Sequence, residues 1–216
     1  MNPTLSETRP PLEVVAQWLE QADRSGLWRN PGAMCIATVG ADGHPAARMV
    51  LLKRLDVAEG YAVFYTHYRS RKGREIEQSG WAAATLYWEA HGRQVRLEGP
   101  VLRSPAEESD AYFASRPLES QLNAWASAQS EPLEDLGELE RRAAQKAQEL
   151  GVAAAVPSGR VPRPPGWGGY RLWCAAVELW VEGRGRFHER VRFERSLDPA
   201  PAGFRGDEWR AVRLQP

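Results

Sequence analysis

The sequence predicts a mainly β fold, an antiparallel barrel with accessory helices, and three observations lead there. About seven or eight short runs carry apolar residues in strand-like alternation or as brief continuous blocks. Turn residues such as Ala41-Asp42-Gly43-His44 and Ala58-Glu59-Gly60 separate neighbouring runs closely enough for hairpins. Helical periodicity is confined to stretches before or between those runs, so helices decorate a sheet instead of alternating regularly with its strands. At 216 residues the chain is long enough to bury a core without staples, and one domain over residues 1–216 is expected.

Leu12, Val15, Trp18, Leu19 and Ala22 recur at three- and four-residue steps, which predicts a helix from Pro11 to Ser25 ending at Gly26. Ala33 to Val39 and Ala46 to Leu55 form a predicted hairpin whose second strand is bracketed by Arg48 and Lys53, and Tyr61 to Thr66 is the next strand. Ser70-Arg71-Lys72-Gly73-Arg74 then opens a helix to about Ser79, with three cations at the end where the macrodipole favours anions. That arrangement is unfavourable alone, but with free backbone N–H groups it suits a phosphate. Ala82 to Trp88 and Arg93 to Leu102 are a second strand pair joined around His91-Gly92, with Gln94, Arg96 and Glu98 on one face.

Ser104-Pro105-Ala106-Glu107 reads as a capping box that opens a helix through Tyr112 to about Ser115. Pro117 interrupts it at Arg116, and a second helical piece runs past Ser120 towards Trp125. Asp135 to Leu150 is a further helix with Leu136, Leu139, Ala143 and Leu150 on one side. Val152 to Gly169, rich in proline and glycine, is a predicted connector. Tyr170 to Val181, Arg186 to Arg195 and Trp209 to Leu214 are the closing strands, interrupted by a Pro/Gly-rich loop from Asp198 to Asp207.

Bulk properties narrow the function. Twenty-eight basic and 28 acidic residues cancel, which argues against nucleic-acid or membrane-surface binding through general positive charge, so any anion site must be local. Cys35 and Cys174 form no CxxC pair and are expected to be buried apolar fillers. The N-terminus lacks a signal-type apolar segment and no run approaches a membrane span, so the expectation is a soluble cytoplasmic protein. His44, His67, His91 and His188 are scattered and belong to no metal-binding motif, so no metal is expected. GxSxG, GxxxxGK[ST] and GxGxxG motifs in their structural contexts are also missing.

What remains is a surplus of anion-binding positions. Arg48, Lys53, Arg71, Lys72 and Arg190 make one possible set, and Tyr112, Arg116 and Ser120 another, as two phosphorylated ligands would require. The run Glu178 to Arg190 adds Arg186, His188 and Arg190 at spacing two, predicted to share one strand face while Phe187 points to the other. By itself that pattern also suits a charged, solvated edge strand.

The ordered motifs Arg48-Met49-Val50-Leu51-Leu52-Lys53, Phe64-Tyr65-Thr66, Ser70-Arg71-Lys72, Arg93-Gln94-Val95 and Tyr112-Phe113-Ala114-Ser115-Arg116-Pro117 continue with Ser120-Gln121, Ala124-Trp125-Ala126-Ser127 and Gln129-Ser130. Trp167-Gly168-Gly169-Tyr170-Arg171, Glu178-Leu179-Trp180 and Arg186-Phe187-His188-Glu189-Arg190 complete a pattern that resembles the pyridoxamine 5′-phosphate oxidase family from about Leu12 to Pro216. The resemblance implies a homodimeric split β-barrel, FMN in clefts at the subunit interface, and a dimerisation and active-site region over about 167–216. It assigns FMN to Arg48, Met49, Val50, Leu51, Leu52, Lys53, Tyr65, Thr66, Arg71, Lys72, Gln94, Gln129, Ser130, Trp180 and Arg190. The substrate phosphate falls to Lys53, Tyr112, Arg116 and Ser120, while Arg186, Phe187 and His188 would hold the pyridine ring, with Arg186 and His188 as the catalytic pair.

The activity so implied is oxidation of pyridoxine 5′-phosphate and pyridoxamine 5′-phosphate to pyridoxal 5′-phosphate in vitamin B6 metabolism. Hydride leaves C4′ for the flavin, O2 reoxidises the flavin with formation of H2O2, and the amine substrate releases NH3. Leu179, Val181, Glu182, Phe187 and Asn123 depart from the family's usual residues, and the segment before the first helix is short for a substrate-closing arm. Two alternatives share the fold: a flavin oxidase of phenazine biosynthesis, and a non-catalytic flavin- or haem-binding split barrel. Tyr112, Arg116 and Ser120 together favour the phosphorylated vitamer.

Overall fold

The computed structural model describes residues 5–151 and 161–216; residues 152–160 of the predicted connector and residues 1–4 lie outside them. Two strands that each serve two neighbours set the architecture. β1 (Ala33–Val39) and β2 (Pro45–Leu51) form the predicted hairpin, with Ala33 opposite Leu51 and Val39 opposite Pro45. The expected single strand Ala46 to Leu55 is instead broken at Leu52 and Lys53. Leu52 N–H donates to the Gly32 carbonyl and Lys53 N–H to the Val63 carbonyl, each at 2.8 Å, so the chain changes partners within two residues. It resumes as β3 (Arg54–Asp56), paired with β4 (Tyr61–His67).

The second shared strand is β6 (Arg93–Arg103), which pairs along one edge with β5 (Trp81–Trp88). Along its other edge Arg93–Glu98 pair with β8 (Ala176–Val181), and Val101–Arg103 pair with β7 (Trp167–Trp173). β7 also pairs with β4, so β1, β5, β6, β7, β4 and the β3–β2 strand close a ring. β8, β9 (Glu189–Glu194) and β12 (Arg210–Leu214) extend from β6 as a wing. The predicted strand Tyr170 to Val181 is therefore two strands, and the expected connector ends before Trp167. Between them Cys174 N–H donates to the Gly60 carbonyl and Ala175 N–H to the Glu98 carbonyl, both at 2.9 Å, which turns the chain from ring to wing.

The ring encloses Met34, Ile36, Phe64, Leu86, Leu97 and Leu172, all essentially inaccessible to water. α1 (Pro11–Ser25) adds Leu12, Val15 and Trp18 to the same core, where Leu179 and Val181 of the wing also lie, and ends as predicted at Gly26 with φ 65°. α2 (Arg71–Ser79) is capped by Ser70, whose Oγ accepts from Gly73 N–H at 3.3 Å. α3 (Ala106–Ser115) and α4 (Leu118–Ala126) are separated at Arg116, as Pro117 requires. The expected capping box does not form. Ser104 N–H is drawn to the Gly169 carbonyl at 2.9 Å as an extension of the sheet, and its hydroxyl makes no cap.

α5 (Leu136–Glu149) lies on the surface with Lys146 over the Trp125 ring at 4.3 Å, and Leu136, expected on its apolar side, is 75% exposed in the first turn. The segment expected as a loop from Asp198 to Asp207 contains a hairpin of β10 (Leu197–Ala200) and β11 (Gly203–Gly206). It forms because Phe204 finds a buried partner in Trp173, ring centroids 5.8 Å apart, over Tyr61 and Val63. Cys174 is buried and its thiol is pushed up to about 12 by that burial, whereas Cys35 is half-buried on the outer face of β1, contrary to expectation.

At the β6 changeover a Cβ on Gly99 would collide with the Trp173 carbonyl oxygen, a backbone atom that cannot swing aside. Gly99→Ala is expected to destabilise the fold by about 2 kcal/mol or more, through overpacking at backbone. Urea denaturation checks this, the expected result being a lowered midpoint with an unchanged slope.

Candidate active site

A cleft of about 450 Å³ opens where β2, the end of β4, α2 and the α3–α4 junction converge. Met49, Val50, Leu51 and Lys53 form one wall, Tyr65, Thr66 and Lys72 another, and Tyr112, Arg116, Ser120 and Gln129 a third. The α3–α4 break brings Tyr112, Arg116 and Ser120 to one cleft although the helix is not continuous. Gln121 Nε2 donates to the Arg116 carbonyl at 2.7 Å and pins that break. Lys53, Lys72 and Arg116 line the cleft, and among the described residues no carboxylate does.

Each cation is prepared differently. Arg116 stands 4.7 Å from the Trp167 ring centroid, its Nη1 is buried without a hydrogen-bond partner, and burial lowers its pKa. Lys53 is exposed and lies 5.9 Å from the Tyr112 ring centroid. Tyr112 stacks on Tyr65 at 3.9 Å, and Trp167 lies nearly parallel to both, its ring centroid 5.5 Å from Tyr65 and 6.2 Å from Tyr112. Lys72 is buried, its Nζ donating to Thr66 Oγ1 at 3.0 Å, Ser70 Oγ at 3.3 Å and Gln129 Oε1 at 2.8 Å. All three acceptors are neutral. Burial, and then the Arg48 charge, bring its pKa down to about 8, while Glu75 pulls the other way.

Arg48 and Arg71 do not line the cleft. They converge on Glu75, a buried carboxylate of α2 that accepts from Arg48 Nη2 at 3.0 Å, from Arg71 Nε at 2.7 Å and from the Thr38 hydroxyl. Burial raises the Glu75 pKa, but those three hydrogen bonds outweigh it and hold the group below the ordinary carboxylate range. Leu52 is buried and turns away from the cleft. Ser130, next to Gln129, takes φ 78°.

The remaining predicted residues occupy β6 and the wing, separated from β2 by β1 and β5. Gln94 is the register partner of Trp180, and Trp180 of Arg190, so the three form one row across β6, β8 and β9. Arg190 donates to buried Glu178 Oε1 from Nε at 3.0 Å and from Nη2 at 2.8 Å. The expected strand face carrying Arg186, His188 and Arg190 together is not formed. Arg184–Arg186 make a 3₁₀ turn, with Gly185 at φ 61° and Arg186 at φ 67°, so β9 begins only at Glu189. His188 follows that turn, its ring 4.6 Å from Trp180 and its Nδ1 accepting from Gly183 N–H at 3.3 Å. Phe187 is 80% exposed. Ser130 and Arg186 are the two non-glycine residues at positive φ among the described residues, and both are predicted site positions.

Glu75, Glu178 and His67 received no site role from the sequence. Glu75 lies four residues after Arg71, the helical ion-pair spacing, and Glu178 alternates with Trp180, so both carried a signal. His67, which lines the cleft, carried none beyond its place next to Thr66. None of the described residues forms a group of three or more His, Cys, Asp or Glu suited to a metal ion, and no described helix is long and apolar enough to cross a membrane.

Comparison with known proteins extends this geometry. The pyridoxamine 5′-phosphate oxidase family model matches residues 22–148, and a model for the pyridoxine 5′-phosphate oxidase C-terminal dimerisation region matches residues 167–216. A pyridoxine/pyridoxamine 5′-phosphate oxidase of Rubrobacter xylanophilus is 47% identical over 95% of this chain and 87% of its own length. One from Rhodopseudomonas palustris is 44% identical over 95% and 90%. Among solved structures, PhzG from Burkholderia lata, in complex with tetrahydrophenazine-1-carboxylic acid, is 32% identical, covers 100% of this chain and 99% of its own, and superposes with a TM-score of 0.83. A pyridoxamine 5′-phosphate oxidase-related, FMN-binding protein from Nostoc punctiforme, 19% identical over 98% and 100% with a TM-score of 0.68, shares the fold. The ring and wing are thus a split β-barrel, and the chain belongs to the pyridoxamine 5′-phosphate oxidase family.

Proposed function

We propose that this protein oxidises pyridoxine 5′-phosphate and pyridoxamine 5′-phosphate to pyridoxal 5′-phosphate with O2 as acceptor, using FMN, as a homodimer. The observation that carries the reading is the cleft: three cations, no described carboxylate, and a buried Arg116 Nη1 without a partner. Phosphate monoesters, close to dianions at neutral pH, are the ligands such a lining suits. The residues fit FMN as well. Lys72 is buried among neutral acceptors beside the start of α2, a setting that favours an anion over none. Bound there, FMN would supply the acceptor for hydride from the substrate C4′ and pass the electrons to O2.

The chain's own part is orientation and electrostatics. Lys53, Tyr112, Arg116 and Ser120 grip the substrate phosphate, so binding energy remote from C4′ holds the reacting carbon in place. Glu75 keeps Arg48 and Arg71 in fixed positions for the cofactor phosphate, and Glu178 does the same for Arg190. His188 Nδ1 accepts from Gly183 N–H, so the neutral ring carries its proton on Nε2 and presents a donor to the pyridine ring. Arg186 stabilises negative charge at the ring oxygen from its αL turn.

The separation of the two groups, and the match to a C-terminal dimerisation region, support the homodimer. No residue of the Gln94–Trp180–Arg190 row lines the cleft, so a complete site needs the row of a second copy. Met49, Leu51, Tyr87 and Val212 leave large apolar side chains exposed on the outer face of the same sheet, where a second copy would cover them. The phenazine-type alternative has less use for the phosphate grip of Tyr112, Arg116 and Ser120, which is present here in full.

The purified protein is expected to show a flavin spectrum and to form pyridoxal 5′-phosphate and H2O2 from both phosphorylated vitamers; flavin bound without turnover of either overturns the reading. Arg116→Ala should lower kcat/KM by roughly 10- to 100-fold through KM, the worth of a charged hydrogen bond, with flavin content unchanged. Arg186→Ala should act on kcat instead, and steady-state kinetics separates the two. FMN affinity of the flavin-stripped protein should be greatest below about pH 8, where Lys72 is charged, and fall by up to about tenfold per pH unit above it. Lys72→Met should bind FMN weakly and without that step, as read by flavin fluorescence quenching.

A further inference from the structure

We propose that His67 is a proton-linked partner of a phosphate monoester in this cleft, its imidazole taking up a proton as the dianion settles between Lys72 and Arg116. The inference rests on the reading of the cleft as a phosphate site and assigns a role to a residue outside the family pattern described above. His67 ends β4 opposite Trp167 of β7. Its carbonyl accepts from Ser70 N–H at 3.1 Å and from Ser70 Oγ at 2.7 Å, which fixes its backbone just ahead of α2. The side chain lines the cleft, and it also lines a neighbouring groove of about 1130 Å³, so it stands on the partition between them.

The charges around that partition are unbalanced. From the cleft side Lys53, Lys72 and Arg116 face it, while β7 and α4 contribute the uncharged Trp167 and Ala124. From the groove side come Arg69, Arg74 and Arg142, with Glu77 and Glu131 as the carboxylates. Both carboxylates are already engaged: Glu77 accepts from Arg103 at 2.8 Å and Tyr170 at 2.7 Å, and Glu131 from Arg74 at 2.9 Å. Burial first, then the Lys72 and Arg116 charges, bring the His67 pKa down to about 4, so the ring is neutral near pH 7. A phosphate dianion reverses the sign of the local field. The protonated ring then donates a charge-assisted hydrogen bond to a phosphate oxygen, and the proton comes from solvent.

The dianion belongs either to FMN or to the substrate, and calorimetry in two buffers of different ionisation enthalpy distinguishes them by counting protons. FMN is titrated into flavin-stripped protein, and pyridoxal 5′-phosphate into FMN-loaded protein, for the wild type and His67→Asn at pH 6.5. If the bound imidazole regains its ordinary value near 6.5, the wild type takes up about half a proton more than the variant. Excess uptake in the FMN arm assigns His67 to the cofactor phosphate, and in the pyridoxal 5′-phosphate arm to the substrate phosphate. The ligand's own phosphate proton cancels in the difference. The same linkage makes binding tighten by about tenfold more between pH 8 and pH 5.5 in the wild type than in the variant. In the wild type alone, the His67 ring-proton NMR signal should move to its protonated position when ligand is added. Equal proton counts in both arms, or a ring signal that stays at its neutral position, overturn the proposal while leaving FMN binding and turnover intact. A wild type that binds neither ligand overturns the phosphate-site reading, and this inference with it.

Discussion

The fold depends on two strands that each change neighbours partway along their length. The β2–β3 strand leaves β1 for β4 at Leu52 and Lys53, and β6 leaves β8 for β7 at Gly99 and Pro100. Backbone N–H and C=O groups inside a protein must be paired, so each changeover commits the chain to a second partner sheet. Together they curl one antiparallel sheet into a ring with a wing attached. The first changeover is also where Lys53 turns into the cleft, so the feature that closes the barrel delivers a cation to the site.

Electrostatics divides six cations of the proposed site into two groups. Arg48, Arg71 and Arg190 are oriented by the buried carboxylates Glu75 and Glu178, which offset their charge and hold them in place. Lys53, Lys72 and Arg116 have no carboxylate partner among the described residues at the cleft they share. A cleft built this way attracts anions, and burial first, then neighbouring cations, depress the pKa values of Lys72 and His67. Glu75 sits behind it, close enough to raise the Lys72 pKa in part but oriented to the arginines.

Backbone strain falls at positions of the proposed site as well. Arg186 and Ser130 hold left-handed conformations that side chains other than glycine rarely adopt, at opposite halves of the proposed composite site. Near Arg186 the turn is made possible by Gly183, where a Cβ would collide with the Phe187 carbonyl, and by Gly185. The row Gln94–Trp180–Arg190 lies beside that turn because cross-strand register places it there, and His188 reaches Trp180 without belonging to the strand.

Alternation and helical spacing by themselves determined the mainly β class, α1 with its glycine end, the β1–β2 hairpin, the β5–β6 pair and the α3–α4 break at Arg116, because each rests on contacts within a few residues. Ordered motifs also made the family legible and named the residues of the proposed site, since their identities persist whatever the geometry. Local periodicity could not reveal the strand changeovers, the β10–β11 hairpin over Trp173 or the turn at Arg186, which depend on hydrogen bonds and packing between distant segments. Nor could it separate the site residues into cleft and wing, tie Arg48 to Glu75, or place His67 on the partition. Those are matters of which segments meet, and only the closed ring decides them.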